Sequence, residues 1–225
     1  LKALGFCREQ GGVQYPTAAG ILMLGKASAI QRFVPTAKSS FQVLEGTNVR
    51  VNEDYSLPIL AAIERIIAHL EVWNPQRELE FGLFRMSVPE FDKRALREAI
   101  VNAFCHRDYS IMGRVRVAVE DDGLTVANPG GFIEGITLEN LLTAEPHGRN
   151  PLLADALKRV GLAEKTGRGI DRIFEGSLIY GRALPDYSKT TSTTVSLIIP
   201  RSKPDGALAR MIAEAQNRQG RPLPI

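Results

Sequence analysis

Hydrophobic and polar residues alternate along the chain with the periods of both helices and strands. Ser56 can cap a helix, because Pro58 suits a first helical turn and apolar residues then recur every three or four positions. The apolar face of this predicted helix consists of Leu60, Ile63, Ile67 and Leu70. Upstream, Gly11 and Gly12 indicate a turn and residues 40–44 a strand, so residues 1–55 are predicted to form a small α/β segment.

A β-hairpin is predicted in the middle of the chain. Val115, Val117 and Val119 recur at the period of a strand. Residues 121–123, with the sequence Asp-Asp-Gly, favour a tight turn, after which residues 124–127 form the partner strand. Further predicted elements, in chain order, are a strand at 79–86, a short helix after Thr137, a helix from Pro151 to Val160, a helix after Gly169 and a strand at 193–199.

The predicted helix from Asp92 to His106 carries polar residues among apolar ones. Glu98, Asn102 and His106 are spaced four apart, so they form one stripe that drifts only about 40° per step. Past the first turn the other residues are apolar except Arg97, and this apolar arc is too wide for an ordinary surface helix. Unpaired burial of a carboxylate or an amide is costly, so the stripe is predicted to face a cavity.

The residue types in this stripe suit phosphate and metal chemistry. Glu98 can polarise a water molecule as a general base, and Asn102 can offer its side-chain oxygen to a hard cation such as Mg²⁺. His106 is expected to line the edge of the cavity. A structural alternative stays open, in which Glu98 pairs with Arg97 or Arg114 and Asn102 caps a neighbouring loop.

A second candidate feature is the run Lys165-Thr166-Gly167-Arg168-Gly169, which leads directly into a helix. Backbone N–H groups at a helix N-terminus can bind phosphate, and Lys165 and Arg168 add positive charge. A lone Gly-x-Gly also occurs in simple tight turns. The prediction of a phosphate site therefore depends on its combination with the Glu98 stripe.

Composition and charge narrow the class of protein. The 225 residues include 28 Lys and Arg against 25 Asp and Glu, and the formal charge of +3 is too small to predict nucleic-acid binding by itself. Cys7 and Cys105 match no metal-ligand spacing, which favours a reducing compartment. The apolar runs are short for a bilayer and no signal segment opens the chain, so a cytoplasmic protein without membrane contact is expected. Because the chain opens with Leu1 and not with methionine, we expect the chain to be part of a longer protein.

The sequence lacks the motifs of two enzyme classes, the protein kinases and the P-loop helicases. The sequence His106-Arg107-Asp108 resembles the catalytic loop of protein kinases, but no G-x-G-x-x-G loop precedes it and no D-F-G follows it. No P-loop of the form G-x-x-x-x-G-K-[ST] occurs in the sequence, so helicase activity is not expected.

Four motifs occur in a fixed order: ALREAIVNAFCHRDY at 95–109, NPGG at 128–131, RNPLL at 149–153 and GLAEKTGRGI at 161–170. Together they resemble the central region of bacterial transcriptional regulators that are often labelled "ATP-dependent DNA helicase RecG-related". The segment TAAGILMLG at 17–25 is similar to the preceding part of the same proteins. The resemblance therefore covers almost the whole chain.

The resemblance implies an α/β (α+β) fold of the GHKL-like ATPase type. This is a two-layer sandwich in which a mixed sheet is covered by helices on one face, preceded here by the small α/β segment at 1–55. A GHKL-like ATP-binding-type domain is expected at 56–202 and a helical linker at 203–225. Complete relatives carry an AlbA-type, Schlafen-like domain before this region and a winged helix after it, which implies that DNA is bound through those flanking domains.

The resemblance also assigns residues to an ATP and Mg²⁺ site. Glu98 and Asn102 resemble the E-x-x-x-N box, in which Glu98 is the candidate catalytic base and Asn102 the candidate Mg²⁺ ligand. Gly167 and Gly169 resemble the second glycine box, beside the phosphates.

The adenine-binding box departs from the family pattern. The usual D-x-G-x-G sequence is replaced by Asn128, Pro129, Gly130 and Gly131. Asn128 can still accept one hydrogen bond from the adenine amino group, but without the charge-assisted strength of a carboxylate.

The leading hypothesis is a nucleotide-binding regulatory domain of a DNA-binding transcriptional regulator, with ATP and Mg²⁺ between the Glu98 helix and the Gly167 turn. The rival is a GHKL-like structural or dimerisation module that has lost its ligand, which the substitution at Asn128 favours. An active ATPase with Glu98 as its base is a third alternative. The chain can also be expected to associate with further copies of itself as a homo-oligomer.

Overall fold

The computed structural model describes residues 1–81, 84–145, 147–163 and 167–219. The strands are β1 Cys7–Gln10, β2 Val13–Pro16, β3 Lys38–Glu45, β4 Asn48–Tyr55, β5 Gln76–Phe81, β6 Phe84–Pro89, β7 Arg114–Glu120, β8 Gly123–Pro129 and β9 Thr194–Pro200. The α-helices are α1 Ala18–Leu24, α2 Ala27–Phe33, α3 Ile59–Val72, α4 Lys93–His106, α5 Pro151–Arg159, α6 Gly169–Leu178 and α7 Gly206–Gln219.

A five-stranded mixed sheet forms the centre of the fold, in the order β4-β3-β7-β8-β9. The pair β3 and β7 is parallel, and the other neighbouring strands are antiparallel. Four buried side chains, each opposite the next, form one row across the sheet: Phe41, Val117, Val126 and Leu197. Because side chains alternate along a strand, this row fixes which face of each strand is apolar.

Helices cover one face of this sheet. Helix α4 packs on β7 and β8, α3 packs on β3, and α5 and α6 flank α4. The opposite face is polar, since Arg116 donates to Gln42 Oε1 and Glu120 Oε1 at 2.7 Å, and Thr125 donates to Glu120 Oε2 at 2.6 Å. The predicted class, a mixed sheet with helices on one face, is confirmed.

The sheet crosses the domain boundary that the sequence predicts at residue 55. Strands β3 and β4 precede this boundary, yet β3 is hydrogen-bonded to β7 within the central sheet. Before β3 the chain forms the β1–β2 hairpin and helices α1 and α2. At the other end of the domain, β9 ends at Pro200 and α7 begins at Gly206.

Three predictions of local structure are wrong. The single strand expected at 79–86 is instead two antiparallel strands, β5 and β6. Successive turns replace the short helix expected after Thr137, and Thr137 Oγ1 accepts the N–H of Asn140 at 3.4 Å. Helix α3 is flanked by Pro58 and not capped by Ser56, because a residue before proline is disfavoured in the helical region.

Two further features of the structure are the state of the cysteines and the character of the helices. Cys7, which is partly exposed, and Cys105, which is buried, are both free thiols. In the described part of the chain no helix has the length and apolar character that crossing a membrane requires.

Candidate functional site

Helix α4 holds the central polar stripe and is anchored at both ends. At its start the Asp92 carboxylate accepts the N–H groups of Arg94 and Ala95, both at 2.9 Å, as a helix cap. At its end, Asn150 Nδ2 donates to the carbonyls of Cys105 and Arg107 at 2.8 Å. These caps fix the rotation of α4 about its axis, and so the direction in which the stripe points.

The buried residue Arg107 ties the end of α4 to two loops. Its guanidinium donates to the carbonyls of Asp108 at 2.7 Å and Gly113 at 2.8 Å, and also to that of Thr36. It also lies over the Tyr109 ring at 4.9 Å. Arg107 is a structural residue, and it takes no part in lining the site.

The polar stripe of α4 faces a cavity of about 230 Å³. Glu98 is only 3% exposed and Asn102 is half-buried, and both side chains line this cavity. The cavity lies between α4, the β8–β9 part of the sheet, and the segments that carry α5 and α6. Seven of the residues that the sequence analysis assigned line it: Glu98, Asn102, His106, Asn128, Gly131, Gly167 and Gly169.

The first residue of α6 touches the stripe directly. A Cβ atom added at Gly169 would overlap Glu98 Oε1 and would lie 3.2 Å from Asn102 Nδ2. A side chain at this position would therefore displace the ends of the Glu98 and Asn102 side chains. The Glu98 carboxylate thus lies against the positive end of helix α6, where negative charge is stabilised.

The glycine turn before α6 reaches the cavity with the backbone of Gly167. Gly167 has a φ of +82°, the left-handed conformation that favours glycine, and it lines the cavity. Arg168 is exposed and is not among the described residues that line the cavity. Lys165 lies outside the described residues.

The segment at 128–131 contains one cavity residue with a polar side chain. Asn128 is buried, lies on the helix-facing side of β8 with Val126, and donates through Nδ2 to the Pro129 carbonyl at 3.2 Å. Gly130 has a φ of +95°, and a Cβ there would lie 2.8 Å from Asp108 Cβ. Gly130 is therefore required for packing and does not line the cavity, whereas Gly131 does.

His106 closes the cavity at the C-terminal end of α4. Burial and, to a smaller extent, the neighbouring Arg149 guanidinium lower the pKa of His106, so its imidazole is kept neutral. Arg149 Nε donates to the His106 carbonyl at 3.1 Å, and Arg149 Nη2 donates to the Gly131 carbonyl at 2.9 Å. Arg149 thereby holds the end of α4 and the start of the loop after β8 together.

Sequence reasoning missed the apolar wall of the cavity. Tyr187 is buried and its ring lies 6.2 Å from that of Phe132 in a tilted arrangement. Other apolar residues of this wall are Val126, Ile133, Ile136, Leu141, Val195 and Leu197. An apolar wall with few polar groups is typical of small-molecule sites. The alternating pattern of β8 and β9 predicts their buried face, but no sequence signal indicates that it borders a hollow.

Sequence reasoning also missed three charged residues of the cavity. Glu145, Asp171 and Lys158 line the cavity together with Glu98. Carboxylates therefore outnumber cations among the described residues of the lining. A polyanionic ligand would need a metal ion or further cations to balance this charge.

Cys105 lines the cavity with its thiol. Burial and, to a smaller extent, the Glu98 carboxylate raise the pKa of the Cys105 thiol to about 12, while Lys158 opposes this shift. The thiol is therefore protonated at neutral pH and does not act as a nucleophile.

The donor set fits one hard cation that also binds phosphate. Among the described residues, no group of three or more His, Cys, Asp or Glu side chains is arranged to hold a metal ion by itself. Mg²⁺ usually takes one or two protein oxygens and completes its shell with water and substrate phosphates. Asn102, with Glu98 one turn away, offers ligands of this limited kind.

Comparison with known proteins supports the fold and part of the family resemblance. Residues 113–199, less than half of the chain, match the family described as "Putative ATP-dependent DNA helicase recG C-terminal". The match begins after α4, so it includes Asn128 and Gly169 but neither Glu98 nor Asn102. A search of proteins with curated descriptions found no match.

A solved structure has the same fold. It is the DIP2311 protein from Corynebacterium diphtheriae, with a TM-score of 0.79 and 24% sequence identity over 95% of this chain. The chain spans 43% of the length of that protein. At this identity the likeness establishes the architecture and leaves function to the site. From β7 to β9, the chain is thus similar to a RecG-related family described as ATP-dependent.

Proposed function

We propose that this chain is a nucleotide-binding regulatory domain that binds ATP with Mg²⁺ in the cavity between α4 and α6. The observation that carries the proposal is the contact of Glu98 and Asn102 with the first residue of α6, at the wall of a cavity with both polar and apolar lining. A cavity that brings a carboxylate, an amide and a helix N-terminus together is the kind of site at which a ligand binds.

Each polar residue of the cavity has a role in this proposal. Asn102 would hold Mg²⁺ through its side-chain oxygen, and the cation would balance the phosphate charge. Asn128 would accept a hydrogen bond from the base at the sheet side of the cavity, against the apolar wall around Phe132 and Tyr187. The backbone of Gly167 and Gly169 would approach the phosphates. Glu98 would act as a general base only if the nucleotide is hydrolysed.

The regulatory part of the proposal concerns the longer protein. The family resemblance of the motifs at 95–109 and 161–170 supports a role in a DNA-binding transcriptional regulator. In this role, flanking domains contact DNA and nucleotide binding changes their arrangement. The present chain would then serve as the sensor of nucleotide and not as a helicase motor.

A second candidate function is a structural or dimerisation module without a ligand. Two observations favour it: Asn128 replaces a carboxylate, and Glu98, Glu145 and Asp171 give the lining an excess of negative charge. A module of this kind would keep the fold and its contacts but would bind no nucleotide.

Thermal unfolding with and without Mg²⁺–ATP separates the two functions. Millimolar Mg²⁺–ATP is expected to raise the Tm of the wild type, since a ligand that binds only the folded state stabilises it. The rise should be lost in Asn102→Ala and kept in Asn48→Ala, a change of the same size at the exposed first residue of β4. Equal rises in all three proteins would refute a site at Asn102, and a folded wild type without any rise would support the ligand-free module.

A further inference from the structure

A lysine of α5 lines the cavity and belongs to none of the motifs discussed above. Lys158 is half-buried and follows Ala154 by one helical turn, and both residues line the cavity. The next residue, Arg159, is exposed and paired with Asp155 at 2.7 Å. Two neighbouring cations of one helix thus point to different surroundings.

The position of Lys158 relative to α4 follows from the packing of two helices. Helix α5, which carries Lys158, packs against α4. Lys158, Glu98 and Asn102 line the same cavity. Lys158 therefore faces the cavity that the polar stripe of α4 also faces.

Lys158 differs in charge from the other charged residues of the cavity lining. Lys158 is the one Lys or Arg side chain among the described residues that line the cavity, where Glu98, Glu145 and Asp171 are acidic. A lysine ammonium group is a common partner of anionic ligands, and Lys158 lies at the wall of this cavity.

We infer that Lys158 recognises the phosphate chain of the bound nucleotide and makes the site select nucleoside polyphosphates over nucleosides. The inference rests on the proposed function. It assigns to α5 the charge that the sequence analysis assigned to Arg168 and Lys165. It also explains how a cavity with an acidic lining can accept an anion, since Lys158 and Mg²⁺ would act from different sides.

The test compares ATP with adenosine, both in the presence of Mg²⁺, by calorimetry. Lys158→Met keeps the length and the apolar stem of the side chain but removes the charge. It is expected to weaken ATP binding about tenfold or more, as for the loss of one charge-assisted hydrogen bond, and to leave adenosine binding unchanged. Lys158→Arg should retain most of the affinity for ATP. Arg159→Gln removes the same charge at the exposed neighbour and should change neither affinity.

The outcomes separate this inference from the proposal on which it rests. A wild type that binds ATP, with Lys158→Met binding it equally well or losing ATP and adenosine affinity alike, overturns the role of Lys158 alone. A folded wild type that binds no ATP overturns both the proposed function and this inference. Unfolding curves of each variant show whether a lost affinity reflects a lost fold.

Discussion

Replacement of Gly169 by alanine tests the contact on which the candidate site depends. The added methyl group would overlap Glu98 Oε1 and approach Asn102 Nδ2 to 3.2 Å. Gly169 is helical, so its backbone suits alanine and the perturbation acts through the two side chains. Glu98 is 3% exposed and cannot move freely into solvent. The expected result is a folded protein in which the carboxylate and the amide are displaced.

Two opposing effects determine how much Gly169→Ala changes the free energy of unfolding. Loss of chain entropy in the unfolded state stabilises such a variant by about 0.4–1 kcal/mol. Overpacking of a buried contact costs about 1–3 kcal/mol, so overpacking exceeds the entropic gain and the free energy of unfolding falls by about 1.3 kcal/mol at the centre of these ranges. For a chain of this size, that loss corresponds to a decrease in Tm of about 3–5 °C.

The assay is thermal unfolding, measured without ligand and with Mg²⁺–ATP. Gly169→Ala should show the lower Tm and no rise on addition of Mg²⁺–ATP. Gly148→Ala is the control for stability, because its methyl group would meet only Ala154 Cβ at 3.8 Å, an ordinary contact. A Gly169→Ala protein that is as stable as the wild type, or that keeps the full nucleotide-induced rise, would refute the reasoning.

Two further predictions concern the end of α4. Arg107→Met should lower the free energy of unfolding, measured in urea, by about 3 kcal/mol or more, because buried carbonyls lose a charged donor. The control Arg159→Met should change this free energy by less than about 1 kcal/mol. Equal effects of the two substitutions would contradict the structural role of Arg107. The pKa of His106 is lowered on folding, so stability should be full above about pH 6.5 and fall as the pH drops below it. His106→Gln should reduce this fall, and an unchanged pH profile contradicts the prediction.

Local signals are the part of the fold that the sequence predicts well. Helix α4 spans Lys93–His106, close to the predicted bounds, and the four-residue spacing of Glu98 and Asn102 places both on one side of the helix. The Asp121-Asp122-Gly123 turn joins β7 and β8 as expected. Tight turns and helical periodicity each depend on neighbouring residues, so one sequence is sufficient to predict them.

Long-range pairing is not visible in the sequence. The parallel pairing of β3 with β7 places Phe41 opposite Val117. No residue pattern in either strand indicates with which other strand it pairs. This pairing makes the sheet extend across the boundary predicted at residue 55. The β5–β6 hairpin was mistaken for one strand because both arms alternate with the same period.

The direction of each charged side chain decides which of them belong to the site. Arg168 was assigned by its place in a glycine turn but is exposed, whereas Lys158 lies on a helix that was described only by its apolar face. Gly130 was assigned by its motif, yet its positive φ and its contact with Asp108 give it a packing role. Motif spacing predicts chemistry, and the rotation of each helix determines which residues reach the cavity.

The most direct test of the central claim is a crystal structure of the chain with Mg²⁺ and a non-hydrolysable ATP analogue. The proposed function predicts density for nucleotide and metal in the cavity, with the metal beside Asn102 and the phosphates between Gly169 and Lys158. An empty cavity in a well-ordered structure, or nucleotide bound elsewhere on the surface, would contradict it.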